Sequence, residues 1–370
     1  MVSRIFLLLG AVLLLVAGTA WHLGWTSLLG PVLIGMWAAF ALSVQTRPAL
    51  RTFAFSLWVL AFVAAAMFYP LAFRSWGTFE LHRLMIPLIQ IIMFGMGTTL
   101  SPRDFSRVLT MPRAVLVGMA LQFTVMPLAG AGIAIAFGFE PAVAAGVVLI
   151  GSCPGGVASN VMTYLARGNL ALSVTMTACS TLVSPVMTPL MMRLLAGQYI
   201  EIQFVEMMLS IINIVIVPIV AGLIANRILQ MLRLRGPWID RALSVVAMAA
   251  ICFIIAIITS LSRDKLLSVG LALIGAAMLH NTIGYVLGYW GARLAGLEET
   301  ARRTVAIEVA LQNGGMASAL AVKVLNSAET ALAPAIFGPW MNISGSLLAS
   351  WWRRKPVPPT PNPHAPATIS

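Results

Sequence analysis

The chain has 370 residues, of which 60% are hydrophobic and only 9% are charged, and its mean hydropathy is +0.94. A soluble globular protein carries about 25% charged residues, so this composition excludes that class and predicts a polytopic protein embedded in a lipid bilayer. The formal net charge of +12 does not indicate a nucleic-acid partner, because the basic residues fall in short loops rather than in one patch with aromatic residues.

Apolar stretches of about membrane-spanning length recur along the chain, and they predict twelve helices. These stretches are residues 5–21, 27–44, 52–73, 84–100, 114–137, 142–165, 170–195, 204–225, 239–260, 266–294, 304–324 and 330–352. Most arginines, such as Arg47, Arg107 and Arg353, lie at helix ends on the same side as the N-terminus. The positive-inside rule therefore predicts that the N-terminus and the C-terminus are both cytoplasmic.

The two ends of the chain differ from the rest. Residues 1–50 are predicted to form an additional helix pair, although Arg4, the apolar run after it and the small residues at 17–20 also fit a cleaved signal peptide. The proline-rich residues 356–370 are predicted to form a disordered tail.

Two of the apolar stretches contain residues that interrupt a helix. Residues 155–159 read G-G-V-A-S and follow Pro154, and residues 314–318 read G-G-M-A-S. Proline and paired glycines disfavour helix at both points. Interrupted segments in corresponding positions of two halves are the sequence pointer to the binding site of a secondary transporter.

Setting the first two helices aside leaves two sets of five, in which the fourth helix of each set is broken. Because five is odd, the two sets have opposite orientations in the membrane. The predicted fold class is an all-α polytopic membrane protein: an inverted repeat of five transmembrane helices each, with two discontinuous crossing helices, plus two extra N-terminal helices. The repeats are residues 51–197 and 203–352.

The breaks predict a site for an anion. Each break restarts the chain as a half-helix whose first N–H groups lack intrahelical partners and carry partial positive charge. Since no Lys or Arg lies near the middle of any stretch, a small organic anion is the predicted substrate. The candidate substrate residues around the breaks are Gly155, Gly156, Val157, Ala158, Asn313, Gly314, Gly315 and Asn342.

Glu308 lies within an otherwise apolar segment. A carboxylate at mid-bilayer costs about 2.5 kcal/mol or more, so a partner or an ion is predicted beside it. Hydroxyl, amide and carbonyl oxygens suit a hard monovalent cation. One candidate set of cation ligands combines Glu308 with Ser159, Asn160, Ser173 and Thr177, and a second combines it with Gln122, Gln312 and the carbonyls of Val309 and Leu311.

Four motifs are long enough to identify relatives: F-G-M-G at 94–97, C-P-G-G-V-A-S-N-V-M-T-Y-L-A-R-G-N at 153–169, E-V-A-L-Q-N-G-G at 308–315 and N-I-S-G-S-L-L-A at 342–349. Over about residues 51–352 the chain resembles the bile acid:sodium symporter family, in its bacterial branch. The resemblance implies that both candidate cation sets bind sodium as the coupling ion. It also implies panel helices at 51–100 and 203–260 and core helices at 112–196 and 266–352.

The expected function is sodium-coupled import of an organic anion by alternating access, in the inner membrane of a bacterial cell. Small carboxylates such as pantoate, ketopantoate or 2-oxo acids are the first expected substrates, and bile acid-like anions are the other class. Val157 and Met341 stand where relatives often have threonine and histidine, and both changes remove hydrogen-bond partners of a bile acid.

Two other classes of protein fit the sequence less well. A sodium/proton antiporter shares the crossed-helix architecture, but it usually places an aspartate or an acid pair at the crossing, where this chain has Glu308 alone. An enzyme is not expected, because the histidines His22, His82, His280 and His364 are scattered and pair with no nucleophile. No organic cofactor is expected.

Overall fold

The computed structural model describes residues 2–47, 50, 53–234 and 236–356. Within these ranges the chain is almost entirely helical. The helices are α1 (Val2–His22), α2 (Thr26–Gln45), α3 (Ala54–Phe68), α4 (Leu71–Arg74), α5 (Met85–Gly97), α6 (Pro102–Ser106), α7 (Pro112–Ala136), α8 (Pro141–Ser152), α9 (Ala158–Leu165), α10 (Leu170–Leu195), α11 (Phe204–Ile211), α12 (Val217–Met231), α13 (Pro237–Leu261), α14 (Arg263–Leu294), α15 (Glu299–Ala310), α16 (Gly314–Lys323) and α17 (Leu332–Arg353). The predicted tail beyond Pro356 lies outside the described residues.

Many of these helices are long and apolar enough to cross a membrane. Among the described residues seven such spans occur: Ser3–His22, Thr26–Gln45, Pro112–Ala136, Leu170–Leu195, Phe204–Met231, Arg241–Leu261 and Arg263–Leu294. Shorter apolar helices lie at Ala54–Phe68, Leu81–Gly97 and Pro141–Ser152. This confirms the predicted all-α polytopic class, whereas the division into two inverted repeats stays a prediction.

The segment after α3 departs from the expectation of one helix over residues 52–73. The helix ends at Phe68, and Pro70 precedes the single turn of α4. A two-residue hairpin follows, with strand β1 at Ser75–Trp76 paired antiparallel to strand β2 at Phe79–Glu80. Proline lacks the N–H that would continue the helix, and Gly77 takes the left-handed conformation that the turn requires, with φ of +62°.

The N-terminal helix pair packs against α3. Ser3 and Ser43 join α1 to α2 by donating hydroxyl hydrogen bonds to each other's backbone carbonyls, at 3.2 and 2.9 Å. Gly30 lets α2 approach α3 closely, since a Cβ at that position would lie 3.0 Å from the Phe68 side chain. Leucines on the opposite face of α1 are exposed, as expected of a surface that contacts lipid.

The two interrupted helices meet at their interruptions. The first break, residues 153–157, separates α8 from α9, and the second break, residues 311–313, separates α15 from α16. Gly156 N donates to the Leu311 carbonyl and Asn313 N donates to the Pro154 carbonyl, both at 2.8 Å. Backbone groups freed from a helix need partners inside a membrane, and here each break supplies them to the other.

At the ends of α9, α15 and α17, a buried arginine holds the helices together. Arg303 is 2% exposed and forms an ion pair with Glu299 at 2.8 Å. Its guanidinium also donates to the carbonyls of Ala166 and Trp352, both at 3.2 Å, and of Pro356 at 3.3 Å. This arginine, predicted only as a loop charge that sets topology, therefore fixes the relative positions of three helix ends.

Candidate functional site

A cavity of about 550 Å³ separates α3, α5 and α13 from the two breaks. Its wall on the α5 and α13 side is mostly apolar and includes Ile92, Met93, Met96, Ile251 and Ile255. The polar residues on this side are Thr98, Thr99 and Ser244. The opposite wall is formed by the breaks and by α17. None of the described residues that line the cavity is Asp, Glu, Lys, Arg or His. The cavity therefore offers one mostly apolar wall and one wall that includes backbone and amide groups of the breaks.

Two half-helices begin at the cavity wall. Helix α9 starts at Ala158 and α16 starts at Gly314, and both residues line the cavity. The first N–H groups of such helices have no intrahelical acceptor and carry partial positive charge. The cavity thus holds an electrostatic attraction for an anion without a charged side chain.

The predicted substrate residues lie on this wall with one exception. The residues found there are Gly156, Val157, Ala158, Asn313, Gly314, Gly315 and Asn342. Gly155 does not line the cavity: a Cβ at that position would lie 3.0 Å from Glu308 Oε2. In the paired breaks, Gly155 and Gly156 have different surroundings, and Gly155 belongs to the neighbourhood of the carboxylate.

Both predicted amides already have intramolecular bonds. Asn313 Oδ1 accepts a 3.0 Å hydrogen bond from Met316 N, which caps α16. Asn342 Nδ2 donates to the Gly338 carbonyl at 2.9 Å. Asn313 therefore retains its amide NH₂ and Asn342 its amide oxygen for other partners.

Behind the wall lies the Glu308 cluster, which we define as Glu308, Ser159, Asn160, Ser173 and Thr177. The carboxylate is 1% exposed. Its Oε1 accepts from Ser159 Oγ at 2.5 Å and from Ser173 Oγ, and its Oε2 accepts from Thr177 Oγ1 at 2.9 Å. Ser173 Oγ lies 2.8 Å from Asn160 Oδ1. Three hydroxyls from α9 and α10 thus converge on the carboxylate of α15, and Asn160 contacts one of those hydroxyls.

The Glu308 cluster has more acceptors than hydroxyl protons. Ser159 Oγ also lies 2.7 Å from the Gly156 carbonyl, and Thr177 Oγ1 lies 3.1 Å from the Ser173 carbonyl. Each hydroxyl has one proton and two acceptors within reach. A buried carboxylate surrounded by surplus oxygens has the chemistry of a site for a hard cation.

The second candidate set forms a glutamine cluster next to the first break. Gln122 Nε2 donates to the Cys153 carbonyl at 3.0 Å and to Gln312 Oε1 at 2.6 Å, and Gln312 Nε2 donates to the Val309 carbonyl at 2.5 Å. The Leu311 carbonyl is engaged by Gly156 N. Gln312 also lines the cavity, so this cluster connects the cavity wall to the backbone next to Glu308.

Two further polar residues support the breaks and were not predicted as site residues. Ser180 Oγ accepts from Gly155 N at 3.4 Å, and Asn281 Nδ2 donates to the Ala310 carbonyl at 2.9 Å. Both are polar residues inside apolar stretches, and this position is the feature of the sequence that could have identified them as site residues. Sequence alone did not show that their partners would be backbone groups of the breaks.

Comparison with known proteins gives a consistent result. A sequence profile described as the Sodium Bile acid symporter family matches residues 86–269. The sodium-dependent transporter YocS of Bacillus subtilis is 39% identical over 81% of this chain and 91% of its own length. The probable sodium/metabolite cotransporter BASS1, chloroplastic, of Arabidopsis thaliana is 34% identical over 81% of this chain and 73% of its own length.

A more distant relative is the ileal sodium/bile acid cotransporter of Oryctolagus cuniculus, which is 30% identical over 65% of this chain and 69% of its own length. The names of these relatives give no support to the sodium/proton antiporter alternative.

Proposed function

Because the chain belongs to the sodium bile acid symporter family and is a sodium-dependent transporter rather than an enzyme, we propose that it couples sodium to the import of a small organic anion. The observation that carries this proposal is the Glu308 cluster, which lies directly behind the wall of a cavity suited to an anion. Sodium neutralises the buried carboxylate, and the same paired backbone that holds the cation ligands presents the half-helix ends to the anion.

Sodium binding organises the anion wall through the backbone. In the first break, Ser159 and Asn160 come directly after Ala158, which lines the cavity. In the second, Gln312 lies four residues after Glu308, beyond the end of α15, and it lines the cavity. A cation drawn between Glu308 and α9 therefore fixes both half-helix ends, which lowers the ordering cost of binding the anion.

The cavity favours a carboxylate with a compact apolar body. The carboxylate meets the starts of α9 and α16, while the body packs on the apolar residues of α5 and α13. Pantoate, ketopantoate and branched 2-oxo acids fit this description, and bile acid-like anions are the second class to test. A volume of about 550 Å³ lies within the usual range of small-molecule sites.

The cavity lies toward one side of the membrane. Its lining includes Phe55 near the start of α3, Thr98 and Thr99 after the end of α5, and Leu243 near the start of α13. In the orientation given by the arginine distribution, with cytoplasmic termini in a bacterial inner membrane, this is the cytoplasmic side. The structure then corresponds to the inward-facing state of the transport cycle.

Thermal unfolding of the purified protein tests the proposal directly. Each carboxylate named above, and taurocholate for the bile acids, is titrated in sodium buffer and in potassium buffer. We expect sodium alone to raise the unfolding temperature, and one carboxylate class to raise it further only when sodium is present. A protein that responds equally to sodium and potassium, with and without every anion, would exclude sodium coupling.

Uptake into proteoliposomes then measures the transport itself. We expect an inward sodium gradient to drive accumulation of the carboxylate that stabilised the protein. Proton movement driven by the same gradient in the absence of any organic anion would contradict symport.

A further inference from the structure

Each of the three helices that form the Glu308 cluster carries a second polar residue one turn away in the same direction. Ser159 is followed by Thr163 on α9, Ser173 is preceded by Asn169 at the start of α10, and Glu308 is preceded by Thr304 on α15. Residues four apart lie on the same face of a helix. Thr163, Asn169 and Thr304 therefore form a second polar layer, which we call the lower layer, on the side toward which α9 ends.

The lower layer is closely packed around Gly168. A Cβ at Gly168 would lie 2.8 Å from Thr304 Oγ1 and 2.9 Å from Thr163 Cγ2, so the two threonines approach each other across the glycine. Thr304 Oγ1 accepts from Asn169 N at 2.8 Å and donates to the Thr300 carbonyl at 2.7 Å. Thr163 and Thr304 thus lie on either side of Gly168, and Asn169 is hydrogen-bonded to Thr304.

One hydroxyl in this layer has no partner. Thr163 is fully buried, and its Oγ1 has no hydrogen-bond partner among the described residues. A buried hydroxyl without a partner costs about 1–3 kcal/mol, and threonines in helices ordinarily bond to their own backbone. On the other side of the Glu308 cluster the hydroxyls are satisfied in this way: Thr181 Oγ1 donates to the Thr177 carbonyl at 2.8 Å.

Beyond the lower layer lies a separate cavity of about 300 Å³, lined by Asn169, Leu172, Ala301, Glu298 and Arg113, among others. Asn169 is a residue of the lower layer, and Leu172 directly precedes Ser173 in the chain, so this cavity adjoins the lower layer. Glu298 is exposed at its wall. No described residue of this cavity lines the larger cavity beside the breaks.

We propose that the cation bound by the Glu308 cluster leaves through the lower layer into this small cavity, along a route separate from that of the anion. The proposal rests on the proposed function, because it takes the ligand of the Glu308 cluster to be sodium. The Thr163 and Thr304 hydroxyls and the Asn169 amide supply successive oxygens to the departing ion. Glu298 offsets the positive charge of Arg113 where the ion reaches water.

Separate routes have a consequence for the transport cycle. In the inward-facing state the anion leaves from the cavity beside α5 and α13, and the cation leaves between α10 and α15 on the other side of the paired breaks. Release of one therefore does not require prior release of the other. Exchange of internal and external anion continues while sodium remains bound.

The test compares three threonine-to-valine variants, which keep side-chain volume and remove only a hydroxyl. Thr163→Val and Thr304→Val alter the lower layer, and Thr181→Val is the control one turn beyond the cluster on the opposite side. Sodium concentration jumps are applied to proteoliposomes on a solid-supported membrane without any anion. The decay of the transient current gives the rate of sodium binding, and its amplitude against sodium concentration gives the affinity.

We expect Thr163→Val and Thr304→Val to slow sodium binding tenfold or more while the half-saturating sodium concentration stays within twofold of the parent. Thr181→Val should leave both quantities unchanged. Because Thr163 Oγ1 has no partner, a purely structural role predicts that Thr163→Val is as stable as the parent or more so, with unchanged rates. Unchanged rates in both lower-layer variants would overturn the proposal.

Two other outcomes are distinguishable. A loss of sodium affinity at an unchanged binding rate would make the threonines ligands of the bound ion and would also overturn the separate route. A parent protein that gives no sodium-dependent current and no sodium-dependent thermal shift would overturn the proposed function itself, and this inference with it.

Discussion

Gly155 and Gln312 lie opposite each other in an antiparallel bridge that joins the two helix breaks. Gly155 approaches the Glu308 carboxylate, and Gln312 reaches both the glutamine cluster and the cavity. One short piece of paired backbone therefore touches the proposed cation ligands on one side and the proposed anion wall on the other. A displacement of either break moves both sites, which is a physical basis for coupling.

The first prediction concerns two of the glycines at the cavity wall, Gly156 and Gly315. A Cβ at Gly156 would lie 2.8 Å from the Gln312 carbonyl oxygen, whereas a Cβ at Gly315 would meet nothing closer than 3.6 Å. We expect Gly156→Ala to separate the breaks and to cost about 2 kcal/mol, from two weakened backbone hydrogen bonds at roughly 1 kcal/mol each. Gly315→Ala should unfold at nearly the parent temperature in sodium-free detergent.

The affinity for the anion can also be compared between a Gly315 variant and the parent protein. Because the start of α16 faces the cavity, Gly315→Val should weaken anion binding at least tenfold while sodium still stabilises the protein. Anion affinity equal to that of the parent in Gly315→Val would show that the anion binds elsewhere.

The second prediction concerns the charge of Glu308. Glu308→Gln keeps the shape of the side chain and removes the charge that compensates a cation. A ligand at a hundred times its Kd stabilises a protein by about 2.7 kcal/mol, and we expect this sodium-dependent gain in the parent and none in Glu308→Gln. Thermal unfolding at increasing sodium concentration measures it.

The control for Glu308→Gln is Glu206→Gln, which neutralises an exposed acid on α11 and should retain the full sodium response. Sodium-driven uptake by a correctly inserted Glu308→Gln protein would contradict the assignment of this residue.

Much of the site could be predicted because membrane burial makes polar residues conspicuous. Glu308, Ser173 and Thr177 are identified by chemical type within apolar stretches, and their spacing places the hydroxyls on one helix face. The structure brings these three together with Ser159 and Asn160. That they bind sodium stays a prediction.

The backbone of the breaks could not be predicted in the same way. Glycine and proline indicate where a helix stops, but not that Gly156 and Leu311 would hydrogen-bond across the two breaks. Nor does sequence spacing show that the Asn313 side chain is used as a helix cap. These features depend on partners distant in the chain.

Arg303 is a charged residue whose partners also could not be predicted from the sequence. In the sequence it is one of several arginines after a membrane segment, and its role there is to set orientation. In the structure it is among the largest fully buried side chains, because the ends of α9 and α17 meet the start of α15 around it. The solvent exposure of a charged side chain depends on tertiary packing, and it cannot be predicted from composition.

The third prediction follows from that burial. Arg303→Met removes a buried donor from Glu299 and from three carbonyls. Glu299 keeps the Tyr289 hydroxyl at 2.7 Å and Arg302 at 3.9 Å, so we expect a loss near the lower end of the roughly 3–5 kcal/mol that breaking a buried ion pair costs. Arg303→Lys retains the charge but lacks the planar fork that reaches several acceptors, so it should recover only part of the loss. Denaturation in detergent measures both.

Arg353→Met is the control for these variants, because Arg353 is exposed on the neighbouring α17 and should change stability by less than about 0.5 kcal/mol. Sodium affinity should stay unchanged in the folded fraction of all three proteins. An Arg303→Met protein as stable as the parent would contradict a role in holding the three helix ends.

The fourth prediction concerns the number of sodium ions. If the glutamine cluster is a second site, Gln122→Leu should lower the Hill coefficient for sodium from near 2 toward 1. It should also cost about 1–3 kcal/mol of stability, because the Cys153 carbonyl and Gln312 Oε1 lose their donor. Thr124→Val, on the exposed face of the same helix, is the control.

Two sodium ions with one monoanion carry net positive charge inward, so uptake by the parent should rise when the vesicle interior is made negative. Uptake that ignores an imposed potential, together with a Hill coefficient of 1 in the parent, would argue for one ion per anion.

The last prediction tests the sign of the substrate's charge. Asn313 caps α16 with its Oδ1 and lines the cavity. Asn313→Asp keeps an oxygen for the cap and adds a negative charge where the anion is expected to bind. Like charges roughly 6 Å apart at an effective dielectric constant of about 20 repel by about 3 kcal/mol, so affinity for a carboxylate should fall roughly a hundredfold.

The control is Asn313→Ser, which keeps the cap without the charge and should lose less than tenfold in affinity. Asn313→Ser should unfold near the parent temperature in sodium-free buffer, since the cap is retained. Asn313→Asp should unfold at a lower temperature, because its charge is placed at a buried position. Titration of the stabilising carboxylate in sodium measures the affinities. If Asn313→Asp binds that ligand as tightly as Asn313→Ser does, the negative charge of the ligand does not lie at the start of α16, and the half-helix ends are not its binding site.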